Sequence, residues 1–238
     1  MRTGGGTLHQ YMLKNFEPDQ IYPAKGIDVH PSQDLHWLLP YFAIKALTST
    51  SRTRRAQIRV FTGHFPFMAV ELLGENLTTI TILRDPVERT LSYLRLMRRA
   101  GTHKGLPLEE IYEDPYLFPR FIRDHQAKLF ALTTEDEPTS YLEVVDVDAT
   151  RLKTAKRNLE RVDVIGTHDR FGELLSELEQ RFGWRQAPVV NQHVGWGTRE
   201  DVPASFRRRI AEDNPADMEF FEHALRLCEQ RRRVNPGR

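Results

Sequence analysis

Apolar positions along the chain recur with two periods. Leu8, Tyr11, Met12, Leu13 and Phe16 follow helical spacing and predict a helix opening at Gly6 or Thr7. Leu35, Leu38, Leu39, Phe42 and Ile44 form one broad apolar face on a helix from about Ser32 to Leu47, broken or kinked at Pro40. Three short runs, 58–61, 78–83 and 162–166, are rich in β-branched residues and read as strands. Further helices are expected over 66–73, from Pro86 to about Ala100 with Gly101 ending it, and over 106–114, 116–132, 150–161 and 170–182. Two more fall within 202–230, separated at Asn214-Pro215. The intervening loops are 17–31, with a short strand near Ile21 or Ile27, the polar and basic 48–57, the acidic 133–149 and the polar 188–198. A frayed tail is expected from Arg231 onward. Strands alternating with helices predict a single α/β domain over 1–238, a parallel sheet flanked by helices.

Two stretches carry chemistry. The first is Met1-Arg2-Thr3-Gly4-Gly5-Gly6-Thr7-Leu8. Consecutive glycines let a backbone turn sharply and approach a ligand. A glycine turn feeding a helix presents unpaired N–H groups and the positive end of the helix dipole to an anion. Arg2 adds a fixed charge, and Thr3 and Thr7 add hydroxyls. Taken alone, the same residues also read as a flexible terminus.

The second stretch follows the strand 78–83 directly: Arg84-Asp85-Pro86-Val87-Glu88-Arg89-Thr90-Leu91-Ser92-Tyr93. Asp85 suits a helix N-cap and Pro86 the first helical turn. Arg84 then stands at the carboxyl end of a strand, where open α/β sheets bind ligands. With Ser92 two turns on, it forms a candidate grip for a second phosphate, Arg supplying a bidentate fork. The structural alternative is a surface Arg paired with Asp85 or Glu88.

Together and in this order, the two stretches resemble the sulfotransferases that use 3′-phosphoadenosine 5′-phosphosulfate (PAPS), most closely the branch of the heparan sulfate 2-O- and 6-O-sulfotransferases. Met1 to Leu8 is similar to that family's 5′-phosphosulfate loop, and Leu83 to Tyr93 to its 3′-phosphate motif. Weaker echoes lie in Asp124-His125-Gln126-Ala127-Lys128-Leu129, similar to a segment near the acceptor cleft, and in the run from Asn158 to Gly166 followed by Arg170-Phe171. The resemblance implies a P-loop-like nucleotide-sulfotransferase fold and PAPS as sulfate donor. It assigns Arg2, Thr3, Gly4, Gly5, Gly6, Thr7 and Leu8 to the 5′-phosphosulfate, and Arg84 and Ser92 to the 3′-phosphate. No metal is implied. Arg2 stands where the branch has Lys, so it is expected to stabilise the leaving group by charge rather than by donating a proton. A phosphate loop of this kind normally follows a central strand, and nothing precedes this one, so that strand is expected to be truncated or to lie upstream. Gly195 to Arg199 is the expected lid over the nucleotide.

His64 follows the predicted strand 58–61, at the edge where such sheets act. The segment Gly63-His64 resembles the one that supplies the branch's catalytic histidine. The resemblance makes His64 the general base and Arg2 its catalytic partner at the leaving group. An imidazole near its ordinary pKa would make the rate rise with pH through that range. Asp28 and His30 either border the acceptor or face water, and His125 either lines the acceptor cleft or sits on an exposed helical face.

Composition narrows the class. The chain has 238 residues and a formal net charge of +1, which argues against a general nucleic-acid binder. Cys228 is the only cysteine, so no internal disulfide forms. No apolar run approaches the roughly 20 residues needed to cross a bilayer. A cytoplasmic location is compatible with these features, and the resemblance implies an enzyme with a small-molecule or glycan acceptor, sugar, lipid, peptide and small natural product all remaining open. A nucleotide-binding protein without turnover is the alternative from another class. A P-loop kinase is less favoured, because the Gly-Lys-Ser/Thr ending of that loop is absent.

Overall fold

The structure, a computed structural model, describes residues 4–29, 40–74, 76–99, 101–137, 142–185 and 202–234. Arg2, Thr3, His30 and the expected lid Gly195 to Arg199 lie outside the described residues, as does most of the first half of the helix expected over 32–47. The elements in chain order are α1 (Gly5–Met12), β1 (Ile21–Tyr22), α2 (Ile44–Thr48), α3 (Arg52–Gln57), β2 (Val60–Phe61), α4 (Ala69–Leu73), β3 (Ile80–Leu83) and α5 (Pro86–Met97). They continue with α6 (Leu108–Tyr112), α7 (His125–Ala131), α8 (Ala149–Glu160), β4 (Val164–Thr167), α9 (Phe171–Phe182), α10 (Ala204–Glu212) and α11 (Pro215–Val234).

The class is mixed α/β and mostly helical, and the strands are parallel as expected. They do not form one central sheet. β1 pairs with β2, and β3 with β4, in two separate two-stranded ladders. The pairs meet through side chains instead: Ile21 and Val60 share a hydrophobic cluster with Ile80, Ile82 and Val164, roofed by Leu8, Tyr11 and Met12 of α1 and Leu174, Leu175 and Leu178 of α9. Each of these side chains contributes about 1.5–3 kcal/mol when fully buried. A second cluster joins α7, α8 and α11. Ala127, Ala131, Ala155 and Ala224 let those backbones approach, and Phe130 and Phe220 fill the remaining volume. A third packs α5 against α6 and α10 through Leu91, Leu94, Ile111 and Ile210.

Several expectations are corrected. The segment 48–57 is not a plain surface loop. Ser51 accepts a hydrogen bond from the Arg54 N–H and caps α3. Arg54 is buried and pairs with Asp28 at 2.7 Å. Asp28 also accepts from the Ala24 N–H, so it holds the loop after β1 together. The break expected at Pro40 falls at Ala43 among the described residues: Ala43 is extended and α2 starts only at Ile44. The helix expected over 116–132 is split: a π-helical turn covers Phe118–Ile122, and Asp124 at φ 44° breaks the chain before α7. α5 stops at Met97, before Gly101. The end of α11 is not frayed at Arg231, which donates to the carbonyls of Val162 and Glu160. The separation of the last two helices at Asn214 is as expected.

Candidate anion-binding site and its supports

The glycine turn has one residue that must be glycine. Gly4 sits at φ 101°, in the left-handed region that costs other residues about 1–2 kcal/mol. A Cβ there would stand 3.1 Å from the Phe171 ring and 3.9 Å from His168. Gly5 and Gly6 are exposed, and a Cβ on either meets nothing within 4 Å. The Gly4 carbonyl accepts from the Thr7 and Leu8 N–H groups and closes the first turn of α1. Gly4, the residue at the N-cap, makes no side-chain cap. The first amides of α1 lie beside a turn built from glycine, the geometry expected for an anion cradle.

The second turn is built from side chains. Asp85 caps α5 by accepting from the Glu88 N–H at 2.9 Å, and Pro86 occupies the first helical position. Arg84 lies between Leu83, the buried last residue of β3, and this cap, its side chain 17% exposed. Burial pulls its guanidinium below the ordinary arginine range, while Glu88 and Asp169 hold it up. Its Nη2 lies 3.9 Å from Glu88 Oε2, and Glu88 is also engaged by Arg207 of α10. The structural alternative of an Arg84–Glu88 pair is thus partly realised, at a length beyond a hydrogen bond. Ser92 is half-buried two turns along α5.

What lies behind Arg84 was not anticipated. The Gln126 side chain accepts from the Arg84 N–H at 3.0 Å and donates to the Arg84 carbonyl at 2.8 Å. Gln126 is 3% exposed. The start of α7, which carries it, is fixed in turn by α11. Asp217 accepts from the Ala127 N–H at 2.7 Å, Asp124 accepts from the Asp217 N–H at 2.8 Å, and Asn214 accepts from the Asp124 N–H at 2.9 Å. Two helix N-termini thus cap one another with buried carboxylates. Burial pushes the Asp124 carboxyl up to about 6 and raises that of Asp217. Arg89, also buried, bonds the Phe121 and Ile122 carbonyls and places a positive charge near Asp217. The sequence signal for this hub was the polar run from Asp124 to Lys128, set inside an otherwise apolar stretch.

The two turns meet at one edge. β3 and β4 run in register, with Leu83 opposite Thr167, so Arg84 and His168 are the next residues on adjacent strands. His168 and Phe171 are the side chains against Gly4. The glycine turn therefore stands at the strand end that carries Arg84.

His64 occupies a different ladder. It follows β2, half-buried, and its N–H donates to the Tyr41 carbonyl at 2.7 Å. A Cβ on Gly63 would stand 2.5 Å from that same carbonyl, so only glycine fits before His64. Burial pushes the His64 imidazole down to about 3. An imidazole with so low a pKa is neutral at neutral pH. Val60 of β2 shares a hydrophobic cluster with Ile80 and Ile82 of β3. His125, expected near the acceptor or in solvent, is fully buried at the start of α7. Burial holds its imidazole well below the ordinary range, and it serves the core.

A groove of about 960 Å³ runs along β4 between α9 and α11. Its arginines are already engaged: Arg161 with Glu71, Arg170 and Arg232 with Glu173, Arg181 with Glu177, and Arg231 with the Glu160 and Val162 carbonyls ahead of β4. It is therefore a poorer anion site than the strand end. Among the described residues, no three His, Cys, Asp or Glu side chains stand together as metal ligands, and no helix is long and apolar enough to cross a membrane. No family model and no curated protein matches the chain.

Proposed function

We propose that the chain is a PAPS-dependent sulfotransferase. The observation that carries this reading is the convergence of two unlike anion grips, the uncapped glycine turn at Gly4 and the rigid Arg84 turn, on one strand end. Their chemistry fits a nucleotide with phosphate at both ends. The 5′ group would lie on the first amides of α1, with Thr7 and with Arg2 and Thr3 completing the cradle. The 3′-phosphate would be held by Arg84 and Ser92. When bound, the donor supplies a sulfuryl group for transfer to an acceptor hydroxyl or amine.

Neutral His64 would take the proton released by that acceptor, a contribution typically about 10²–10⁴-fold. Its depressed basicity makes it a weak base in the free protein, so the acceptor's proton is drawn off late. Preorganised N–H dipoles and the Arg2 charge would meet the negative charge that develops on the departing phosphate oxygen. The acceptor is a small molecule or glycan, and the single half-buried thiol Cys228 suits a cytoplasmic enzyme.

The test is His64→Ala, with thermal stability, affinity for adenosine 3′,5′-bisphosphate and turnover of PAPS measured on one preparation. Affinity should hold while turnover falls about 10²-fold or more. Between pH 5 and 8 the wild-type rate should carry no inflection from His64. Tight binding without turnover for any acceptor would favour the non-catalytic alternative. Binding of ATP with Mg²⁺ in place of the bisphosphate would favour a kinase.

A further inference from the structure

We infer that Gln126 is the positioning residue that sets Arg84 for the 3′-phosphate, an assignment that rests on the nucleotide reading above. Arg84 lies after the end of β3 at Leu83 and before the start of α5 at Pro86. The Gln126 amide meets both backbone groups of Arg84 from one planar unit: an acceptor for the Arg84 N–H and a donor to the Arg84 carbonyl. A neighbouring strand would present the same pair of groups, and here one side chain replaces it. Two bonds to one residue fix the plane of its peptide groups, and with it the direction in which the guanidinium leaves the chain. A single bond would leave that plane free to rotate.

Gln126 is itself immobilised. The neighbouring Ala127 N–H is bound by Asp217, which sits in the first turn of α11, while Asp124 two residues earlier closes the same ring. The chain from α11 through α7 to Arg84 consists of buried and part-buried hydrogen bonds of 2.7–3.0 Å. Both ends of the Gln126 amide are engaged by the Arg84 backbone, so it acts through Arg84. Its effect should be confined to whatever Arg84 recognises.

A double-mutant cycle tests this. Gln126→Met keeps the length of the side chain and removes both bonds. Calorimetric affinities are measured for adenosine 3′,5′-bisphosphate and for adenosine 5′-monophosphate, which lacks the 3′-phosphate. In the wild-type background Gln126→Met should weaken the bisphosphate about tenfold and the monophosphate less than about twofold, the loss expected for two ordinary hydrogen bonds. In an Arg84→Ala background the same change should have no further effect on the bisphosphate.

A purely structural Gln126 predicts equal losses for both nucleotides and additive effects in the cycle, and either result overturns the assignment. Thermal stability of each variant, with the milder Gln126→Glu keeping the acceptor alone, separates loss of fold from loss of aim. Gln126→Glu should fall between wild type and Gln126→Met in the ratio of the two affinities. A wild-type chain that binds neither nucleotide overturns the sulfotransferase reading and this assignment with it. A chain whose ratio collapses on Arg84→Ala but not on Gln126→Met overturns the Gln126 assignment alone.

Discussion

The Gly4 turn and the Arg84 turn both introduce a helix at the same strand end, and they are made in opposite ways. At Gly4 the backbone does the work: one left-handed residue, no side-chain cap, and two exposed glycines following. At Arg84 side chains do it: Asp85 caps, Pro86 fixes the first turn, Gln126 bonds the backbone twice, and Arg89 lies buried behind. A bare turn leaves its amides available and adapts to what binds. A braced turn spends its polar groups on holding one side chain in place. The first suits a group whose charge changes during a reaction, and the second a group that only anchors.

Glycine substitutions should break the first turn most sharply. Gly4→Ala should lower stability by about 1–2 kcal/mol from the left-handed backbone alone, with a further loss because Phe171 stands 3.1 Å from the new methyl. Gly5→Ala, one residue later and open to solvent, should do the reverse and stabilise by up to about 1 kcal/mol, since alanine is the better helix former. Both should weaken binding of the 5′ group if the α1 amides hold it. Urea unfolding beside nucleotide titration reads the two effects separately. A Gly5→Ala variant with unchanged affinity would move the 5′ grip away from these amides.

The braced turn should respond to pH, by a smaller amount. Asp124 and Asp217 have folded pKa values raised above their unfolded ones. The folded state then binds protons more tightly, so the Asp124 contribution to stability falls as pH rises from about 4 to about 6, and that of Asp217 falls as pH rises through its own raised pKa. Asp136, held down to about 2 by Arg151, works the other way: its contribution is present above the ordinary carboxylate pKa and is lost as pH falls toward 2. Asp124→Asn should flatten the slope between pH 4 and 6 and leave the acid limb of Asp136 unchanged, as urea midpoints measured across that range would show.

Much of this was legible in the chain, and the reason differs by region. The Arg84 turn was readable because a β-branched run, an Asp cap and a Pro in the first turn are local signals, and all three appear as read. The break at Asn214-Pro215 was readable for the same reason. Gln126, Asp217 and Arg54 were not, because their partners lie 42, 90 and 26 positions away. Hydrophobic periodicity carries no information on which polar residue turns inward to meet a distant backbone. The run 116–132 has helical composition, and only the tertiary demand for an α7 N-terminus facing α11 explains why Asp124 adopts φ 44° and splits it. The single sheet was inferred from strands that do exist, but β1–β2 and β3–β4 join through side chains rather than a shared ladder.

The central claim is that Arg84 recognises a 3′-phosphate at an edge where the glycine turn holds the other end of the same nucleotide. It is tested most directly by the ratio of affinities for adenosine 5′-monophosphate and adenosine 3′,5′-bisphosphate, in wild type and in Arg84→Ala. The wild-type chain should prefer the bisphosphate by 2 kcal/mol or more, about 30-fold, the scale of a desolvated charge-assisted contact. Arg84→Ala should bring that ratio close to one while leaving the monophosphate affinity within about twofold of wild type. A preference that survives Arg84→Ala unchanged, or an equal loss for both nucleotides, would contradict the account.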